Sequence, residues 1–408
     1  MKRIISLVFA MLFVISILGC SNEPSTNSDT SVAAQSTETS DTSSNSDEKV
    51  FKIGFQDLGL NDVTFDARWA NYQYMCSVAG MEAVQQLVEL TPEGFIDGTE
   101  KLIQAGCDGL VIWPIAESIL PKIAAMCDEA GVYYVLSHRT IQDDEIRALC
   151  ESSPYYLGCV VEDEDQASYD LAKYLYEQGT RTIALITEPI SDTMSMTRET
   201  GVLRAADEYG MEVVGTARGL SQGAEVTKAI SSFISAYPEL DTVILTGLTT
   251  PGQVDGSISA IMQAGLTSDD IKLAACDFVE GAQTAMEEGW MGVVYGGQHV
   301  PNGVFSTALV IDALQNGGRF SEKPLELTID LTWVYSAEDY NDYWKYIAGD
   351  IPIFTAEELN EKVLLSGNPD LTVDDLIELA SNYSLEDVRE RHKDIESIPG
   401  YSVDGYTG

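Results

Sequence analysis

From residue 50 onward, short apolar runs alternate with segments of helical period. The runs at 50–56, 82–90, 109–113, 132–137, 156–161, 181–187, 211–217, 241–246, 271–276 and 291–295 predict strands. Between most of them lie stretches of helical length and period, such as 98–105 and 117–129. Strands separated by helices form parallel sheets through right-handed crossover units, so the alternation predicts an α/β architecture. Ten strands exceed what one open sheet of this kind usually carries. The pattern divides near 155–161, where the rhythm restarts after the less regular 142–154. Two similar lobes result. Gly80 and Gly131 in the first, and Gly210 and Gly265 in the second, stand where helices should end in the left-handed conformation.

Both ends of the chain depart from this rhythm. Lys2 and Arg3 precede an apolar run over 4–18, and Ile-Leu-Gly-Cys follows at 17–20. That is an export signal, too short for an ordinary membrane span. A small residue directly before a cysteine resembles the bacterial lipobox, which makes Cys20 the expected site of lipid attachment, with residues 1–20 as the signal peptide. Residues 21–48 are rich in Ser, Thr, Asn and Asp and cannot bury enough apolar surface to fold; they predict a disordered tether. After residue 349 the alternation stops. Segments 355–363, 372–381 and 384–393 predict short acidic helices capped by Thr355, Thr372 and Ser384, an appendage packed on one lobe.

Charge narrows the function classes. The 408 residues carry 23 Lys+Arg against 65 Asp+Glu, a net of −42, which argues against nucleic acid. Six cysteines follow Cys20, at 76, 107, 127, 150, 159 and 276. In an exported chain their even number invites disulfides, with Cys150 and Cys159 the nearest pair; buried thiols are the alternative, for Cys107 and Cys276 above all. No C-x-x-C, G-x-G-x-x-G, P-loop, G-x-S-x-G or H-E-x-x-H occurs. Ser137 and His138 are adjacent, which on a strand sends them to opposite faces and spoils a nucleophile–base pair. A binding protein without cofactor or metal is expected rather than an enzyme.

The stretch 182–201 joins an apolar strand, a polar loop and a helix start carrying Arg198 and Gly201. Such junctions hold ligands in α/β sheets, and a guanidinium there suits paired oxygens. Together with Phe-Lys-Ile-Gly-Phe (51–55), Gly-Cys-Asp-Gly-Leu-Val-Ile-Trp-Pro (106–114), Ala-Gly-Val-Tyr-Tyr-Val-Leu-Ser-His-Arg (130–139), Arg-Glu-Thr-Gly (198–201) and Leu-Ala-Ala-Cys-Asp (273–277), the chain over about 50–335 resembles the ribose/galactose-type family of periplasmic sugar-binding proteins. The resemblance implies the type I fold: two Rossmann-like lobes with parallel sheets flanked by helices, closing over a small ligand about a hinge of three crossings, near 156–161, near Gln298 and near 327–334. The N-terminal lobe is expected over 49–158 and 299–328, the C-terminal lobe over 159–298 and 329–349, and the acidic extension over 350–408.

The same resemblance implies the ligand positions. Phe65 matches an aromatic that stacks on a sugar ring, with core packing as the alternative. Arg139 and Arg198 match arginines of the two lobes that fork onto ligand oxygens, Asp277 an acceptor for hydroxyls, and Gln298 a hinge amide. Departures fall at Trp113, at His138, and at Leu248, Thr249 and Thr250, where the family carries other polar groups. A pocket of Phe65, Trp113, His138 and two arginines is expected to be aromatic and locally positive, favouring a modified or acidic sugar or an oligosaccharide over a plain pentose. The implied role is that of a monomeric, lipid-anchored solute-binding subunit that hands a sugar or sugar derivative to an ABC permease. A sensory subunit reporting to a membrane receptor or kinase is the alternative, and an extracellular carbohydrate enzyme the third.

Overall fold

All ten apolar runs are strands in the computed structural model, which describes residues 49–58, 63–247 and 250–401. The first half runs β1 (Lys52–Asp57), α1 (Val63–Val78), β2 (Glu82–Leu87), α2 (Pro92–Gln104), β3 (Gly109–Ile112), α3 (Leu120–Ala130), β4 (Tyr133–Ser137), α4 (Asp144–Glu151) and β5 (Tyr156–Glu162). The second half repeats the order with α5 (Glu164–Glu177), β6 (Thr182–Thr187), α6 (Thr193–Tyr209), β7 (Glu212–Arg218), α7 (Gly223–Ala236), β8 (Thr242–Leu245), α8 (Gln253–Gln263), β9 (Lys272–Cys276), α9 (Ala282–Glu287) and β10 (Met291–Gly296). Then follow α10 (His299–Asn316), β11 (Leu325–Ile329), β12 (Thr332–Val334), α11 (Ala337–Tyr346), α12 (Ala356–Lys362), α13 (Val373–Ser381) and α14 (Leu385–His392).

Two six-stranded sheets form, ordered β2-β1-β3-β4-β5-β11 and β7-β6-β8-β9-β10-β12. Every pairing is parallel except β10 with β12. Strands such as β3 and β6 are buried along their whole length, as parallel strands covered on both faces require. The orders superimpose position for position, so β4 and β9 are counterparts. Gly131 and Gly210 end α3 and α6 at φ 69° and 70°, the left-handed turn that lets the chain reverse into the next strand.

The chain passes between the sheets three times: after Glu162 into α5, between β10 and α10 at Gln298, and at residues 330–331 between β11 and β12. The first crossing falls beyond residue 158, because β5 stays paired with β4 and β11 to its end. One apolar core runs through both sheets, from Phe55 and Val135 past Phe305 to Ile186 and Val294. Two further cores, around Leu136 and around Leu185, are separate from it.

The C-terminal helices begin at the anticipated caps: Thr355 and Thr372 each close a capping box, and Ser384 accepts from Asp387 N. Their placement corrects the expectation of packing on one lobe. α12 lies against α1 and α13 against β11 in the first lobe, while α14 lies against α11, which itself packs on α9 and β12 of the second. The reason is the apolar side of each acidic helix: Leu359, Leu376 and Val388 are buried and join the core that runs through both sheets.

The expectation of disulfides is also corrected. Cys76, Cys107, Cys127, Cys150, Cys159 and Cys276 are all free and buried. Cys150 belongs to α4, whereas the Cys159 thiol on β5 turns to Glu326 Oε2 at 3.6 Å. Burial pushes the Cys107 and Cys276 thiols up to about 11, so these groups behave as small apolar side chains. Cys20 and the tether lie outside the described residues.

Candidate functional site

Between the sheets, where the first strands of each half end, lies a cavity of about 420 Å³. Ligands in open α/β sheets sit at this edge, because the loops after the strands converge there. Of the sequence-predicted positions, Phe65, Trp113, His138, Arg139, Arg198, Asp277 and Gln298 all line it. Thr250 does not: its hydroxyl donates to the Leu220 carbonyl at 2.8 Å, which ties two loops together instead of facing a ligand. Thr249 lies outside the described residues. Two hollows of about 700 and 500 Å³ adjoin the cavity and share Arg139 with it.

The first lobe contributes an aromatic wall. Phe65, at the start of α1, lies nearly parallel to Trp113 (centroids 6.0 Å, 21°) and 5.1 Å from His299. Trp113 in turn stands 4.8 Å from His138. Behind these rings the Arg68 guanidinium sits 4.6 Å from the Phe65 centroid and 5.2 Å from that of Trp113, held by Asp57 Oδ1 at 2.8 Å. Phe65 is buried among these groups and also lines the cavity. Arg68, one helical turn after Phe65, escaped the sequence reasoning; the i, i+3 spacing on an aromatic helix start was its only signal.

His138 follows β4 with φ 62°, and Asp277 follows β9 with φ 78°. Among the described residues these are the only non-glycine positions in the left-handed region, a strained state retained where the surroundings demand it. The turn sends His138 into the cavity, while Ser137 does not line it and donates to Asn302 Oδ1 at 2.6 Å. The Nδ1 of His138 meets Glu162 Oε1 at 2.9 Å, and Asn302 Nδ2 donates to the same oxygen at 2.8 Å. Burial, with Arg68 and Arg139 nearby, holds the imidazole well below its ordinary value, and burial drives the Glu162 carboxyl up to about 8. Both shifts favour the uncharged forms. Among the described residues, none partners the buried Nε2 of His138 or Oε1 of Gln298, and polar ligand atoms can bond to both.

Arg198 of α6 anchors the second wall. Its Nε and Nη2 fork onto Glu164 Oε2 and Oε1 at 2.9 and 2.8 Å, and Nη2 also reaches Asp277 Oδ2 at 3.2 Å. Burial would lower its pKa, but Glu164, Tyr295 and Asp277 together outweigh that and hold the group well above its ordinary range. Asp277 is treated likewise: burial works upward, and Arg198, His299 and the amide of Gln298 (3.0 Å from Oδ2) bring it below the usual carboxylate range. Gly201 lies on the same helix where a Cβ would stand 2.1 Å from the Asp165 carbonyl, so its absence of a side chain brings α6 close to α5.

These contacts correct the expected charge. The cavity wall carries Glu188, Asp192, Asp277 and Glu280 against Arg139 and Arg198, and Arg198 is already matched by two carboxylates. The site is aromatic but not locally positive, which removes the argument for an acidic sugar. Arg139 differs from Arg198: no carboxylate among the described residues lies within ion-pair distance, and its Nη1 donates to the His138 carbonyl at 2.8 Å. Glu162 and Glu164 were missed because carboxylates are so common in this chain that a run such as Glu162-Asp163-Glu164 carries no signal before folding, and Asn302 because a lone amide inside a helix carries none either. Among the described residues no group of His, Cys, Asp and Glu is arranged to hold a metal ion, and no helix is long and apolar enough to cross a membrane.

Known proteins share this frame. A periplasmic ribose ABC transporter protein of Conexibacter woesei is similar at 18% identity, with 72% of this chain and 95% of that one covered and a TM-score of 0.61. A periplasmic sugar-binding protein of Pseudomonas fluorescens is similar at 14% identity over 79% and 96% of the two chains, TM-score 0.63. An ABC transporter solute-binding protein of Bacillus halodurans with bound myo-inositol is similar at 19% identity over 71% and 96%, TM-score 0.55. No curated protein matches in sequence. The family model for the periplasmic binding protein domain matches residues 65–318, ending before β11 and the C-terminal helices. The chain belongs to the periplasmic binding protein family.

Proposed function

We propose that the protein captures a sugar or sugar derivative outside the cytoplasm by closing its two lobes, and delivers it to the permease of an ABC importer. The observation that carries this is the convergence of seven side chains from both sheets on one cavity, with buried polar atoms of His138 and Gln298 unmatched there by any described residue. Such a wall suits a neutral, hydroxyl-rich ring: Phe65 and Trp113 offer flat faces, Asp277 accepts and Arg139 donates. Ribose, myo-inositol and similar polyols named with related structures are the first candidates. Ligand-driven closure buries the ring and brings both lobe surfaces into the arrangement that a permease reads. Cys20 carries the lipid anchor in this proposal, and the protein acts as a monomer. A thermal-shift screen over sugars, sugar alcohols, sugar acids and nucleosides tests it, because a ligand of the native state must raise the melting temperature. Neutral sugars or polyols should give the shift; silence from every carbohydrate overturns the proposal.

A further inference from the structure

The cavity wall formed by Asp277 and Phe278 is backed by residues far along the chain. Phe278 lines the cavity and lies flat on Tyr343 of α11, with centroids 3.9 Å apart at 15°. Tyr340, one turn earlier on α11, stands 5.2 Å from the same ring. Gly297, directly before Gln298, lies against the same ring, where a Cβ would come within 2.5 Å of Tyr343. One buried tyrosine thus packs against both segments that bring the second-lobe acceptor and the hinge amide to the ligand. Close-packed interiors transmit such placement, because a ring has no room to shift without moving its neighbours.

Helix α11 does not hold this position alone. Arg389 of α14 spans two of its carboxylates, with Nη2 to Asp339 Oδ1 at 2.8 Å and Nε to Asp342 Oδ2 at 2.6 Å. α14 is joined through α13 and α12 to the first lobe, where Phe354 packs on Phe305 of α10 and Tyr401 meets Tyr74 of α1 edge-on at 5.4 Å. At the third crossing the Asp330 amide donates to the Ala380 carbonyl at 3.2 Å, so α13 also grips the link between β11 and β12.

We infer that the segment from α11 to α14 is part of the ligand-binding device: it straps the two lobes across the hinge and, through Arg389 and Tyr343, positions the wall that carries Phe278 and Gln298. Neither residue lines the cavity, so both are positioning residues. The ion pairs of Arg389 are partly exposed and add little stability by themselves, which leaves geometry as their main effect. The meaning of the device for sugar capture rests on the proposed function, but its mechanics do not.

The test therefore uses the full chain without ligand. Exposed Lys101 on α2 and Lys228 on α7 are replaced by cysteine and spin-labelled, one on each lobe, and the distance distribution is measured by pulsed electron resonance. Arg389→Ala should broaden the distribution and add a longer-distance population. Hydrogen exchange over 277–280 should rise about tenfold in Tyr343→Ala and stay at the wild-type rate in Tyr343→Phe, which keeps the ring. If both alanine variants lower the melting temperature yet leave distances and exchange as in the wild type, the segment is only a structural support and the inference falls. A negative sugar screen would overturn the proposed function while leaving these two measurements standing.

Discussion

The two lobes place different residues at the same position. His138 after β4 and Asp277 after β9 occupy matching places in matching sheets, both with left-handed backbone, and both turn into the same cavity. Each is followed by a residue that shapes the wall, Arg139 in one lobe and Phe278 in the other. The first lobe surrounds its position with rings and a buried His–Glu pair whose shifts favour the uncharged forms. The second surrounds its position with full charges, Asp277, Arg198 and Glu164, all paired. One strained turn can therefore serve opposite chemistries, and what decides between them is the neighbouring element: Glu162 at the end of β5 for His138, and α5 with α6 for Asp277. The two arginines expected to act as opposed jaws divide in the same way. Arg198 is a structural clamp within its own lobe, whereas Arg139 is available to a ligand.

The largest effect should come from breaking the charged side of this comparison. Arg198→Ala leaves Glu164 and Asp277 buried without their cation, and removing one partner of a buried pair typically costs about 3–5 kcal/mol. Denaturant unfolding measures it; a loss below about 1 kcal/mol would mean that the clamp is not what holds the second wall. Arg139→Ala should do the opposite, leaving stability within about 1 kcal/mol while weakening the sugar found in the screen by about 1.5–3 kcal/mol, as expected for a hydrogen bond to a charged group. Calorimetric titration separates the two arginines, and equal affinity in wild type and Arg139→Ala would erase the distinction.

The neutral side predicts a pH signature. The Glu162 carboxyl is raised in the fold, so its contribution to stability is complete at low pH and is lost as pH climbs toward about 8. His138 is depressed, so its contribution is lost only as pH falls through the ordinary value of 6.5. Between about pH 6.5 and 8 the Glu162 effect stands alone, and stability should fall by up to about 2 kcal/mol across that window. Glu162→Gln should flatten the slope, and an unchanged slope in that variant would assign it elsewhere. The smallest effect belongs to Thr250→Val, which removes one hydrogen bond worth about 1 kcal/mol and should leave ligand affinity untouched.

Much of this was legible before folding. Apolar runs bounded by helical stretches mark every one of the first ten strands, since inner parallel strands such as β3 and β6 are buried on both faces and even the edge strands β2 and β7 are half-covered. The caps at Thr355, Thr372 and Ser384 and the terminal glycines at 131 and 210 were equally readable, because each answers a local need of the backbone at a helix end. β11 and β12 were visible only as a crossing, being short and set among polar residues. By itself, then, the sequence determined the elements, their order, and the loop positions from which Phe65, Trp113, His138, Arg139, Arg198, Asp277 and Gln298 could meet. Which charges cancel was decided only by tertiary structure: Arg198 against Glu164 across 34 residues, and Arg389 against Asp339 and Asp342 across about 50. Pairing of charges depends on distances of a few ångströms and on the exclusion of water, and neither exists until the lobes and the C-terminal helices have packed.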